Sequence, residues 1–523
     1  MKPGLLLNSL IILAVLFHAS AVSAQTSDNP EQDGVVQRSD FIITSYGSTI
    51  GEISTESIQR AIDECEAAGG GRVIVPAGTF ITGTLFLKSN VNLHLEHGAV
   101  LKGSTNLNDY SRQGRSPGII YCEDAINVAI SGTGTIDGSG DSFYDFSVNH
   151  VYNEFDKQRT RQKENYMPEG VFFTDGPVKR KRSPGMTIVF FHCNNVSVSG
   201  ITVKDTPIWA FRFGFCDGVL VDGVTIKNNP LVPNSDGIHC TISRNIRISN
   251  CNISGGDDAI VLTGFPKDEE TPGLNTTEQA QHTYGNKTIY GENMTVTNCV
   301  LKSSSAGIRI GYGQHPIRRC TFSNIIIHDS HRGIGIFAHD ASNIEDLLFS
   351  NIIIETRLHN GQWWGHGEPI HLSSVSRFEG LKAGQIKNVQ FNNIIATGEQ
   401  GILVYGLDDS PMENITFNHI KLHMRNGKET MAYGGNFDLR PATPISMQIF
   451  EHDIPGIYAQ HVNGLALRDF SLSWGPDLPS FFTHGIECVN VTDLAVDNFK
   501  GSGNPNASGS QKMKLTNTSY LSK

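Results

Sequence analysis

Eight short runs decide the fold: Val198-Ser-Gly-Ile-Thr-Val203, Val221-Asp-Gly-Val-Thr-Ile226, Ile248-Ser-Asn-Cys-Asn-Ile253, Val296-Thr-Asn-Cys-Val-Leu301, Phe322-Ser-Asn-Ile-Ile-Ile327, Phe349-Ser-Asn-Ile-Ile-Ile354, Phe391-Asn-Asn-Ile-Ile-Ala396 and Phe417-Asn-His-Ile-Lys-Leu422. Their third residues fall at 200, 223, 250, 298, 324, 351, 393 and 419, mostly 23 to 27 residues apart, with two longer gaps that hold a unit plus an insertion. A second short run recurs behind the first: Ala210-Phe-Arg-Phe213, Gly237-Ile-His-Cys240, Ala259-Ile-Val-Leu262, Gly307-Ile-Arg-Ile310, Gly333-Ile-Gly-Ile336, Gly401-Ile-Leu-Val404 and Gly485-Ile-Glu-Cys488. Strands this short, with no helical pattern between them, cannot bury a face alone. Stacked neighbours bury a continuous core. The reading is an all-β, single-domain parallel β-solenoid; a two-sheet sandwich would not keep so fixed a residue order within each unit.

Working outward, Ile58, Ala61, Ile62 and Cys65 share one helical face. Ser54 or Thr55 stands as the N-cap and Gly69-Gly70-Gly71 as the stop, so a short N-terminal helix is expected to cap the first coil. Residues 1–24 read as a signal peptide: Lys2, an apolar run from Leu5 to Phe17, and Val22-Ser23-Ala24 before Gln25. That run is short of the roughly 18–20 residues a membrane span needs. The expectation is a secreted or periplasmic protein with no membrane span, a polar linker over 25–39, one domain over 40–500 and a loose Gly-, Asn- and Ser-rich tail over 501–523. A monomer is expected.

The 523 residues are 38% hydrophobic and 18% charged, too apolar for a disordered chain. A net charge of −11 makes nucleic acid an unfavourable partner but leaves an acidic polysaccharide open, because local cations decide that. Nine cysteines follow the signal segment without zinc-ligand spacing, so buried thiols with at most one or two disulfides are expected. Gly132-Thr-Gly134 lacks a third glycine and a following helix, and no Gly-x-Ser-x-Gly or His-Glu-x-x-His motif occurs.

In a solenoid, residues one repeat apart lie on neighbouring rungs about 5 Å from each other. Asp236 precedes Gly237 and Asp258 precedes Ala259, with Asp257 adjoining. Three carboxylates therefore converge on one patch, and like charges so close push at least one towards holding its proton. A protonated and an ionised carboxyl side by side are what glycoside hydrolysis needs. Stacked acids in turns also satisfy backbone groups, and oxygen clusters also hold calcium.

Asn234-Ser-Asp-Gly237 followed by Gly256-Asp-Asp258 resembles the signature of the polygalacturonase family, glycoside hydrolase family 28. Gly134-Thr-Ile-Asp-Gly138, Arg182-Ser-Pro184 and Thr206-Pro-Ile-Trp209 resemble further family segments in the right order. The resemblance implies a right-handed parallel β-helix and inverting hydrolysis of pectic chains, with Asp257 as general acid and Asp236 and Asp258 holding the attacking water, without metal or cofactor. Two places depart. Ser305-Ala306-Gly307 stands where the family carries Gly-His-Gly, and Gly335-Ile336-Phe337 aligns with its basic Arg-x-Lys block. Asn234, His239, Arg309 and Arg332 are the substrate-binding candidates: Arg309 shares a column with His239 and Arg212, and Arg332 one with Asp236 and Asp258. A guanidinium fork suits a carboxylate; the same arginines can also be a solvated sheet face.

The insertions Asn149–Lys181 and Gly264–Tyr290 are expected to shape specificity. Trp363-Trp364 offers rings for sugar stacking or loop packing, and Lys179-Arg-Lys-Arg182 is a basic run. Two other classes stay open: a polysaccharide lyase whose Asp cluster holds calcium, and a non-catalytic glycan-binding solenoid.

Overall fold

Each of the eight repeat positions is a corner. In the computed structural model Gly200, Gly223, Asn250, Asn298, Asn324, Asn351, Asn393 and His419 all take left-handed backbone, with φ between 53° and 74°. Glycine and asparagine are the residues that tolerate this conformation, which is why the repeat carries them there. The corner side chains bond from rung to rung, Asn351 Nδ2 donating to Asn324 Oδ1 at 3.2 Å and Asn393 Nδ2 to Asn351 Oδ1 at 2.8 Å.

The structure describes residues 40–111, 117–152, 155–265 and 289–521. The expected signal segment 1–24, the linker 25–39 and most of the Gly264–Tyr290 insertion lie outside the described residues. Strands from residue 40 onward wind into one parallel sheet, the right-handed β-helix. A typical coil carries three strands, as in Ile238–Thr241, Arg244–Ser249 and Asn252–Gly255, which pair in register with Ile260–Gly264, Gly291–Thr297 and Val300–Ser303 on the next. Further along, the second and third strands join across the corner into single bent strands, Ile317–Ser330, Ile344–Thr356, Ile386–Gly398 and Met412–Met424.

The core inside the coil is a set of like-on-like stacks. Phe322, Phe349, Phe391 and Phe417 stack in file with ring centroids 4.7, 5.0 and 4.9 Å apart. All nine cysteines are buried free thiols, so the disulfides allowed for above do not form; Cys122 and Cys193 Sγ stack 3.8 Å apart. The Thr55–Ala67 helix buries Ile58, Ala61, Ile62 and Cys65 against the first strands. Ser54 stands at its N-cap, but its hydroxyl donates to Glu52 O at 3.2 Å rather than accepting from the helix. The 501–523 stretch is also not a loose tail over its described part, because Met513–Thr516 pairs in parallel with Ile486–Asp497 and adds another rung.

Truncating one ring opens a cavity that rigid rungs cannot close, so Phe391→Ala is expected to cost about 3–5 kcal/mol. Asn351→Val, forced left-handed, should cost about 1–2 kcal/mol and Asn351→Gly far less. Denaturant midpoints of the three variants check both figures.

Candidate active site

One sheet face carries the chemistry. The strands Ile238–Thr241, Ile260–Gly264, Ala306–Gly313, Arg332–Phe337 and Ile370–Ser373 align Ile238, Ile260, Ile308, Ile334 and Ile370 in a row. Two residues ahead of that row stand Asp236, Asp258, Ala306, Arg332 and Glu368; one residue behind it stand His239, Val261, Arg309, Gly335 and His371. Tight backbone approach sets the Asp257-Asp258 turn: a Cβ on Gly256 would lie 2.1 Å from Val232 O, and one on Gly237 2.4 Å from Ala259 O. Only glycine fits either place.

A cavity of about 520 Å³ opens on this face, and all seven predicted residues, Asp236, Asp257, Asp258, Asn234, His239, Arg309 and Arg332, border it. The three carboxyl groups have different surroundings. Asp257 accepts from Asn234 N at 3.2 Å and from Asp258 N at 3.0 Å. Burial first, and then the negative charge of Asp258, push its carboxyl up to about 7, while Arg309 and the two amide donors pull the other way. Asp258 is clamped: Ser305 Oγ donates to it at 2.9 Å, Ala306 N at 3.0 Å, and Arg309 Nε in a close ion pair. Ser305 and Ala306 thus do in this chain what a departure from the family pattern had left open. They anchor a carboxylate.

Asp236 Oδ2 lies 3.2 Å from His239 Nδ1. His239 is fully buried, stacks on Trp209 at 3.5 Å between centroids, and has its Nε2 3.3 Å from Thr263 Oγ1. Burial, then the charges of Arg309 and Arg212, drive its pKa well below the ordinary range, so the ring is neutral. With both nitrogens engaged inside the protein, His239 orients Asp236, while Asn234 donates its backbone N–H to Asp257 at 3.2 Å and has its side-chain amide 3.5 Å from the same oxygen.

The model of glycosyl hydrolases family 28 matches residues 65–346. The chain belongs to that family. It is 24% identical to the endo-polygalacturonase of Pectobacterium carotovorum subsp. carotovorum over 342 residues, covering 58% of this chain and 78% of that protein. It is 24% identical to a polygalacturonase of Medicago sativa over 451 residues, covering 81% and 88%. In fold it resembles the family 28 exopolygalacturonase of Yersinia enterocolitica, with TM-score 0.60 and 17% identity over 92% of this chain and 77% of that one. The chain is a polygalacturonase-like O-glycosyl hydrolase, and the lyase and non-catalytic readings give way to it.

Other wall residues of this cavity escaped the sequence reading. Arg377 reaches in from a loop, paired to Asp340 through Nε and Nη2 at 3.0 and 2.9 Å, and lies over the rings of Tyr312 and Phe378. The Trp pair divides: Trp364 borders the cavity, whereas Trp363 is fully buried and donates from Nε1 to Asp175 O at 2.9 Å. Trp363 is loop packing.

Removing Arg309 would leave Asp258 a buried, unpaired charge, at a cost of about 3–5 kcal/mol. Arg309→Met is therefore expected to unfold at clearly lower denaturant, and adding Asp258→Asn should restore part of the loss. A melt series of the single and double variants reads this.

Proposed function

We propose that the protein is an exported enzyme that hydrolyses galacturonide linkages of a pectic polysaccharide by single displacement with inversion. Asp257 is the general acid: a carboxyl that titrates near 7 still holds a proton to give to the leaving glycosidic oxygen in mildly acid or neutral medium. Asp258, anchored by Arg309, Ser305 and Ala306, and Asp236, oriented by His239, face the same cavity and hold the water that attacks from the other side of the sugar ring. The observation that carries the reading is this contrast between a carboxyl raised by burial and a neighbour tied into an ion pair, on a chain of family 28. The polysaccharide partner follows from the same residues. Export rests on residues 1–24, so the mature chain is proposed to start at Gln25.

Asp257→Asn should lower kcat by about 10²–10⁴-fold on homogalacturonan while leaving the fold intact. The wild-type rate should fall as pH rises through about 7, where Asp257 loses its proton. Following the first-formed anomer by NMR tests inversion: a product with the configuration of the cleaved bond would contradict it. Wild-type turnover in Asp257→Asn would remove Asp257 from the acid role.

A further inference from the structure

The cavity ends just past Arg332. On an open coil the sheet face would continue in solvent through Glu368 and His371, and one rung further through Gln400 and Leu403, yet all four are 5% exposed or less. Three loops cover them, and they are bonded to one another. Asp175 of the Asn149–Lys181 insertion donates its N–H to Asn360 Oδ1 at 2.8 Å and accepts from Asn360 N at 3.1 Å. Arg161 of the same insertion donates to Asn436 Oδ1 from its backbone at 2.7 Å. Gln400 Nε2 donates to Asn436 O at 2.8 Å, which places the third loop directly across the face. The contacts of the Asn149–Lys181 insertion join segments more than 180 residues apart, so the barrier is built into the fold.

At the foot of this barrier stands Arg332. Of the three arginines on the cavity, Arg309 is committed to Asp258 and Gly311 O, and Arg377 to both oxygens of Asp340. The Arg332 side chain makes no hydrogen bond to a described residue; Glu368 Oε2 lies 3.5 Å from its Nε as an ion pair and Phe337 lies 4.8 Å beneath its guanidinium. Its Nε and Nη2 are buried without partners, which leaves Nη1 as the nitrogen on the cavity wall. Glu368 is in turn 3.5 Å from His371 Nδ1, so a buried acid and histidine back the arginine much as Asp236 and His239 pair three residues apart four rungs earlier. A guanidinium held in place by an ion pair but with its hydrogen-bond donors unused recognises a carboxylate.

We infer that the end of the cleft at Arg332 is a closed terminal subsite, which seats the last residue of an acidic chain with its carboxylate on Arg332, so that the enzyme works from chain ends. Glu368 and His371 are positioning residues for that arginine. The inference rests on the proposed hydrolysis of uronide chains.

The test follows product size on unesterified galacturonan with the full-length enzyme. Mono- or disaccharide should be the product from the first minutes, and viscosity should fall slowly against reducing ends. A broad ladder of oligomers with early viscosity loss would overturn the closed subsite while leaving hydrolysis standing; no cleavage of any pectic chain would instead remove the reading beneath it. Arg332→Gln should raise KM for the free-acid oligomer about 10–100-fold, the equivalent of one lost charged hydrogen bond, and raise the KM for a methyl-esterified oligomer far less. Arg332→Lys should recover part of the affinity. Equal losses on acid and ester, in a variant that melts like wild type, would contradict carboxylate recognition.

Discussion

Parallel coiling at one rung per turn fixes every side chain about 4.8 Å from its counterparts above and below. Inside the coil this spacing is favourable, because identical rings and branched aliphatics stack without gaps. Outside it, the same spacing forces like upon like among the polar residues too, and a column of acids is then under electrostatic strain unless something interrupts it. In this chain Asp236 and Asp258 occupy successive rungs, and the interruption comes immediately: Ala306 supplies an amide, Ser305 a hydroxyl and Arg309 a positive charge to Asp258. Asp257 stands just outside that arrangement. It feels the charge of Asp258 and the loss of solvent while being only partly relieved by two amide bonds, and so becomes the carboxyl that keeps its proton. The division of labour between acid and base follows from which rung carries the arginine.

The same bookkeeping runs on along the face. Arg332 takes the place in the acid column three rungs after Asp236, and Glu368 follows it, so a positive charge separates the two aspartates from the next acid of the column. Burial alone would raise the Glu368 carboxyl, but the Arg332 charge and His371 beside it hold it below the usual carboxylate range. The site is therefore a strip of buried charges of both signs, roofed at one end by loops and left as a cavity over the three aspartates. Chemistry is confined to the part of the strip where net negative charge and open space coincide.

How much of this could be read from the chain alone depends on locality. The corners were legible because left-handed backbone admits so few residues, and Asn324, Asn351 and Asn393 mark them as plainly as the glycines do. The acid column and the places of Arg309 and Arg332 were legible because register in a coil is arithmetic. Arg377 was not, since its partner Asp340 and its neighbour Phe265 lie outside the strands, with no period to align them. The roof was not legible either. Nothing local to Asp175 announces Asn360 and Trp363 as its partners, and nothing in a Trp-Trp pair tells which ring turns inward. The tail misled for a related reason: Gly-, Asn- and Ser-rich composition around 501–510 suggested slack, but the coil offered Met513–Thr516 an unpaired edge, and pairing that edge outweighs local preference.

The central claim is that Asp257 carries a proton at neutral pH because burial and Asp258 outweigh its hydrogen bonds. Titrating aspartate carboxyl carbons by NMR in uniformly labelled protein measures this directly. One resonance, missing from the spectrum of Asp257→Asn, should titrate near 7 well apart from the rest. If that resonance titrates below about 5 with the ordinary aspartates, the acid assignment and the mechanism built on it are wrong.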